Sequence, residues 1–165
     1  MIAAGSILIS TPTIGDPNFE KVVIFITESN EKGAMGFVIN DLFPRTLNEL
    51  VEFKQVKTFP LHDGGPVERE HLYFIHQRPD LIEGGIPIIN SIYMGGDFKQ
   101  AVAHLNNNTL QISDMKLFIG YCGWDPKQLE DEIAEGCWLL ADVLTQTVFT
   151  QTDKLWEIIY QTKNN

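Results

Sequence analysis

Short hydrophobic runs, none long enough to be a long helix and each bounded by Gly, Pro or Asn, constrain this chain more than any other feature. They fall at residues 6–10, 22–28, 35–40, 71–77, 88–93, 115–121 and 138–142 and are rich in Ile, Val, Phe and Tyr. β-branched and aromatic residues in runs of this length, closed by turn formers, read as strands. Seven strands rule out a helical fold. Four positions carry helix-start chemistry. Thr46 with Glu49 forms a capping box ahead of Leu47, Leu50 and Val51, and Asp97 with Gln100 precedes Ala101, Val102 and Leu105. Asp125 is followed by Pro126 in a first-helical-position setting and by Gln128, with Gly136 as the expected stop. Asp153 opens a last helix in which Leu155, Trp156, Ile158, Ile159 and Tyr160 spread widely enough to predict broad burial. Three strand runs precede the first helix start, so strict β-α alternation fails. The expected fold is α+β, with a mixed, largely antiparallel sheet flanked by helices. A doubly wound nucleotide fold is disfavoured because no glycine-rich phosphate loop joins the first strand to a helix.

The whole chain, 1–165, reads as one domain, since turn signals recur about every ten residues and no stretch has linker composition. With 12 basic and 22 acidic residues the net charge is −10, a field that repels polyanions and argues against direct nucleic-acid binding. Its partners are expected to be basic or neutral. No apolar run is long enough to cross a bilayer as a helix, and no Lys or Arg precedes the apolar stretch near the start, so a cytoplasmic location without membrane contact is expected. Cys122 and Cys137 are too few for a disulfide framework or a zinc site and read as small core residues. His71 and His76, five apart on a strand, point to opposite faces and share no metal. No cofactor is expected.

Three segments could carry function. Asp16, in the stiff loop Thr11-Pro12-Thr13-Ile14-Gly15-Asp16-Pro17-Asn18-Phe19, either caps a turn or offers a carboxylate on rigid backbone. Asn40 ends the third strand and either makes a local turn bond or presents a donor and an acceptor to a ligand. Trp124 sits in Gly120-Tyr121-Cys122-Gly123-Trp124, just before a helix carrying Gln128, Glu130, Asp131, Glu132 and Glu135, a set that reads as a solvated acidic face. Asp16, Asn40, Trp124, Gln128 and Glu132 are the candidate ligand-binding residues. All three segments end strands, and they are expected at one end of the sheet.

The runs from Gly5 to Phe19, Gly33 to Asn40, Gly64-Gly65-Pro66-Val67, and Gly120 to Trp124 with Gln128-Leu129-Glu130 and Trp138 resemble the YqgE/AlgH family of bacterial proteins, in the family's order. The resemblance implies a compact α+β fold with a bent, partly barrel-like sheet flanked by helices. It implies little chemistry, although one branch is named as a regulator of alginate gene expression. Two positions depart from the pattern: Asp41 stands where the family is usually basic, and Cys122 where it usually has a small residue such as Ala. A non-enzymatic binding or regulatory protein, contacting a protein or a small molecule, is the leading reading. The alternatives are a hydrolase-like enzyme using Asp16, Asn40 and Glu132, and a DNA-binding regulator, which the charge opposes.

Overall fold

The computed structural model describes residues 2–142 and 144–164. Among these described residues are ten strands: β1 (Ile7–Ser10), β2 (Val23–Asn30), β3 (Gly33–Val38), β4 (Leu42–Thr46), β5 (Pro60–Asp63), β6 (Val67–His76), β7 (Ile86–Ile89), β8 (Ile92–Met94), β9 (Met115–Trp124) and β10 (Trp138–Ala141). The described residues also form three α-helices, α1 (Phe98–Asn106), α2 (Gln128–Ala134) and α3 (Leu155–Asn164). The strands form one open sheet in the order β10-β1-β2-β3-β9-β6-β8-β7, and every pair along this path is antiparallel. The expected α+β, largely antiparallel architecture is therefore present, and the sheet does not close into a barrel.

Strand β9 is the hub. One edge pairs with β6. The other is shared by β5, parallel to residues 117–119, and by β3, antiparallel to residues 122–124. The handover falls at Gly120, whose φ of +71° bends the strand where a side chain would collide with the carbonyl of Gly65. The first half of β2, residues 23–26, is buried on both faces, which explains its uninterrupted apolar run: Val23 and Phe25 join one cluster with Phe37, Phe118 and Ile159, and Ile24 and Ile26 join another with Trp124, Leu129 and Trp138. Phe37 and Phe118 stack at 4.3 Å in the first cluster. A third cluster holds Leu61, Leu117, Ala101 and Leu105 under α1.

Several local expectations are corrected. The capping box at Thr46 exists, with Glu49 accepting from the Thr46 N–H at 3.0 Å, but it starts only a 3-10 turn over Leu47–Glu49. Leu50 then adopts extended ψ (141°), and a second turn over Val51–Phe53 replaces the expected helix. Asp125 and Pro126 lie outside α2, which is preceded by Lys127 at φ +69°; Gly136 closes the helix as expected, its N–H bonding to the Ile133 carbonyl. The run 88–93 is interrupted by Asn90 at φ +50°, a left-handed residue that turns β7 back onto β8. Thr152, not Asp153, accepts the Lys154 N–H ahead of α3, and Ile158 stays 53% exposed, so α3 buries one face through Leu155 and Ile159. Strands β4 and β5 carry no continuous apolar run; Leu42–Thr46 includes Pro44 and Arg45, and its partner β5 is held by the edge of β9. Among the described residues no helix is long and apolar enough to cross a membrane.

Candidate functional site

Each nominated residue has a defined place. Asp16 caps the turn Pro17–Phe19, its carboxylate accepting from the Asn18 N–H at 2.9 Å. Asn40 ties two strands' surroundings together: Oδ1 accepts from the Val23 N–H at 2.8 Å, and Nδ2 donates to the Lys21 carbonyl at 3.0 Å. The second bond holds a residue at φ +52°, so Asn40 fixes the loop that carries Asp16. Asp16 and Lys21 line a groove of about 340 Å³ walled by Trp156 of α3, whose ring faces the Lys21 ammonium at 5.7 Å.

Trp124, Gln128 and Glu132 do come together, but on each other. Glu132 Oε1 accepts from the indole N–H groups of Trp124 (3.0 Å) and Trp138 (2.9 Å), and Oε2 accepts from Gln128 Nε2 (3.1 Å). The two indoles meet edge to face at 6.1 Å. Glu132 is thus a carboxylate bolt between α2, β9 and β10, where the sequence pattern suggested a solvated acidic face. The expectation that all three segments share one end of the sheet is also corrected. β9 runs antiparallel to β3, placing Trp124 beside Ala34, while Val38, two residues before Asn40, lies at the far end of β3 beside Ile24.

A different convergence emerges. Pro17, Asn18 and Phe19 from the first loop, Val38 and Asp41 flanking Asn40, and Asp63, Gly65, Pro66 and Arg69 around the double glycine line one cleft of about 440 Å³. Three of the segments that carry the family resemblance therefore meet here. The backbone welds them: Asp63 N–H donates to the Asp41 carbonyl (2.8 Å), Val38 N–H to the Gly64 carbonyl (2.9 Å), and Gly64 N–H to the Ile119 carbonyl (2.8 Å). At Gly65, φ is +153° and an added Cβ would run into the Tyr121 carbonyl, so only glycine allows this loop to press against β9.

The cleft holds two carboxylates and one guanidinium. Arg69 Nη1 donates to Asp63 and to the Gly65 carbonyl (3.1 Å), and the Asp63 bond raises the already high pKa of the guanidinium. Asp41, at the open rim, has its carboxyl pushed above the ordinary range, first by partial burial and then by the neighbouring negative charge of Asp63, with Arg69 pulling the other way. One positive charge thus serves two negative ones. Behind the double glycine, the Cys122 thiol contacts the Gly64 carbonyl at 3.5 Å and is pushed up to about 12, chiefly by burial, which holds it protonated. Sequence reasoning missed Asp63 and Arg69. The available signal was Asp63 directly before Gly64-Gly65-Pro66, but nothing local pairs it with Asp41, twenty-two positions earlier.

The open, largely antiparallel sheet with its flanking helices is an α+β fold and not a doubly wound one. The chain belongs to the AlgH-like family, whose description matches residues 7–164. It is 35% identical over 163 residues to a UPF0301 protein of Chlorobium luteolum, covering 98% of this chain and 86% of the relative. A UPF0301 protein of Chlorobaculum tepidum is 33% identical over 157 residues, covering 94% and 84%. The fold matches the solution structure of the AlgH protein from Pseudomonas aeruginosa, with a TM-score of 0.77 at 22% identity over 98% of this chain and 88% of that one. It also matches a crystal structure of a protein from Corynebacterium diphtheriae, with a TM-score of 0.78 at 21% identity over 98% and 87%.

Proposed function

We propose that this protein is a binding or regulatory protein without catalytic chemistry of its own, and that its cleft at Asp41, Asp63 and Arg69 receives a cationic group from a small molecule or a partner protein. The observation that carries this reading is the convergence of three motif-bearing loops on two carboxylates that share a single guanidinium. A cation at Asp41 would relieve the repulsion from Asp63, and Phe19, Val38 and Pro66 would cover an attached apolar portion. The net charge of −10 draws cations toward such a cleft and opposes direct DNA binding. Two free, buried cysteines suit a reducing compartment such as the cytoplasm.

The enzyme reading with Asp16, Asn40 and Glu132 gains no comparable support, because their side chains are engaged in a cap, a strand clamp and an indole bolt respectively. The binding reading is tested by a thermal-shift screen of amines, guanidines and neutral analogues against the wild type and Asp41→Asn. Selective stabilisation of the wild type by cationic compounds is expected. Equal shifts in the two proteins, or a preference for neutral or anionic compounds, would refute it.

A further inference from the structure

Arg69 shows which chemical group the cleft already accepts. Its Nη1 donates to Asp63 and, at 3.1 Å, to the Gly65 carbonyl, and both acceptors line the cleft. Among the described residues its Nε and Nη2 make no hydrogen bond, so one corner of the guanidinium carries the whole attachment. A planar fork that can grip a carboxylate through two parallel bonds is here hooked by a single nitrogen. The pair is also open to water: the Arg69 side chain is 45% exposed and that of Asp63 28%. Ion pairs this exposed hold weakly. The backbone under Arg69 stands out of the ladder as well. β6 pairs Val67 with Tyr121 and next Leu72 with Ile119, so residues 68–71 oppose one residue of β9, and Glu68 enters this bulge at φ +48°.

We propose that Arg69 is a resident stand-in for the ligand: the cleft takes a guanidinium on a short apolar chain, which replaces Arg69 at Asp63 and the Gly65 carbonyl while Arg69 swings into solvent. This rests on the reading of the cleft as a cation site and narrows it to one class of cation. A carboxylate beside a carbonyl suits a group that carries several N–H donors in one plane, whereas an ammonium is compact and more strongly hydrated. Asp41 lies exposed at the rim, so an entering fork meets two carboxylates where Arg69 hydrogen-bonds to one. Phe19, Val38 and Pro66 line the same cleft and would cover the chain. Because Arg69 is tethered beside the position it occupies, it competes at a high local concentration and turns away cations that bind less well than a guanidinium.

Isothermal titration of butylguanidine and butylamine into the wild type, Arg69→Gln and Asp41→Asn tests this. The wild type is expected to bind butylguanidine at least about threefold more tightly than butylamine. Arg69→Gln should tighten butylguanidine by about fivefold, the most that an exposed ion pair supplies, and butylamine by clearly less, while Asp41→Asn should weaken both. Removing a positive charge favours every cation alike, so an equal gain for the two compounds, or no gain for butylguanidine, would overturn the displacement and leave the cation reading standing. Binding of neither compound by the wild type at millimolar concentration would overturn both. An acetylated arginine amide should likewise exceed its lysine counterpart, and the tighter of the two guanidinium carriers identifies the source as a small molecule or a partner protein's arginine. A measurement on the wild type alone guards against a misfolded variant: at saturation with butylguanidine the side-chain Nε–H signal of isotope-labelled Arg69 should shift, and an unchanged signal would refute the displacement.

Discussion

Replacing Lys116 by Met should remove one pH-dependent contribution to stability. Burial lowers the lysine from its ordinary 10.5 to about 7, so between these limits the unfolded chain holds a proton that the folded protein has shed. Where the unfolded state binds more protons, stability rises with pH, here by about 1.4 kcal/mol per pH unit and by roughly 5 kcal/mol over the full interval. Below about pH 7 this contribution is absent and the fold carries the whole cost of a buried ammonium. Met has similar length and no charge, and it removes the slope. It also leaves the Ile39 and Thr150 carbonyls without their donor, at about 1–3 kcal/mol if either stays dry. The variant should therefore be more stable than the wild type by a few kcal/mol at about pH 6 and less stable at about pH 10, with the curves crossing between. Cys122, raised from 9.0 to about 12, acts with the opposite sign, because the unfolded thiol ionises first and stability falls as pH rises above 9; it is common to both proteins and cancels in the difference. Urea unfolding of both proteins across this range, with unchanged m-values, gives the difference directly. Parallel curves would mean that Lys116 keeps an ordinary pKa and that its burial has been misread.

Glu132→Ala should lower stability by about 2–5 kcal/mol, because two buried indole N–H groups lose their acceptor; urea unfolding followed by tryptophan emission reads this, and a loss under about 0.5 kcal/mol would show that the bolt is unimportant. Cys122 should alkylate far more slowly in the folded protein than in urea at neutral pH, read by mass spectrometry of its peptide, because its thiol stays protonated; equal rates would contradict the burial and the raised pKa.

The fold was largely legible from the sequence because its long strands are buried on at least one face and announce themselves as apolar runs. The first half of β2 is a continuous run because both faces are covered, and β9 is one because it is the hub. β4 and β5 were silent, since both are short and are held by pairing, β4 to β5 and β5 to β9, rather than by their own pattern. The Thr46 box is a cap, as its sequence indicates, yet it opens a 3-10 turn rather than an α-helix, because capping chemistry fixes the first turn and leaves the length to tertiary packing. At the site, the motif segments were visible but their meeting place was not. Asp41 and Asp63 become neighbours only through pairing of β4 with β5, and Glu132 acquires its role only when β10 brings Trp138 against Trp124. Lys116 did leave a signal, a lone lysine between Met115 and Leu117, but its carbonyl partners lie 77 and 34 residues away.

The central claim, that the cleft between the first loop, Asp41 and the double glycine is where this protein meets a cation, is tested most directly by amide chemical-shift mapping. Agmatine, which joins a guanidinium to a short apolar chain and an amine, is titrated into isotope-labelled wild type and into Asp41→Asn. Saturable shifts confined to Asn18, Phe19, Asp41, Gly65 and Arg69, and strongly reduced in the variant, are predicted. Shifts centred on the Trp156 groove or on Trp124, or an identical response from Asp41→Asn, would contradict the account.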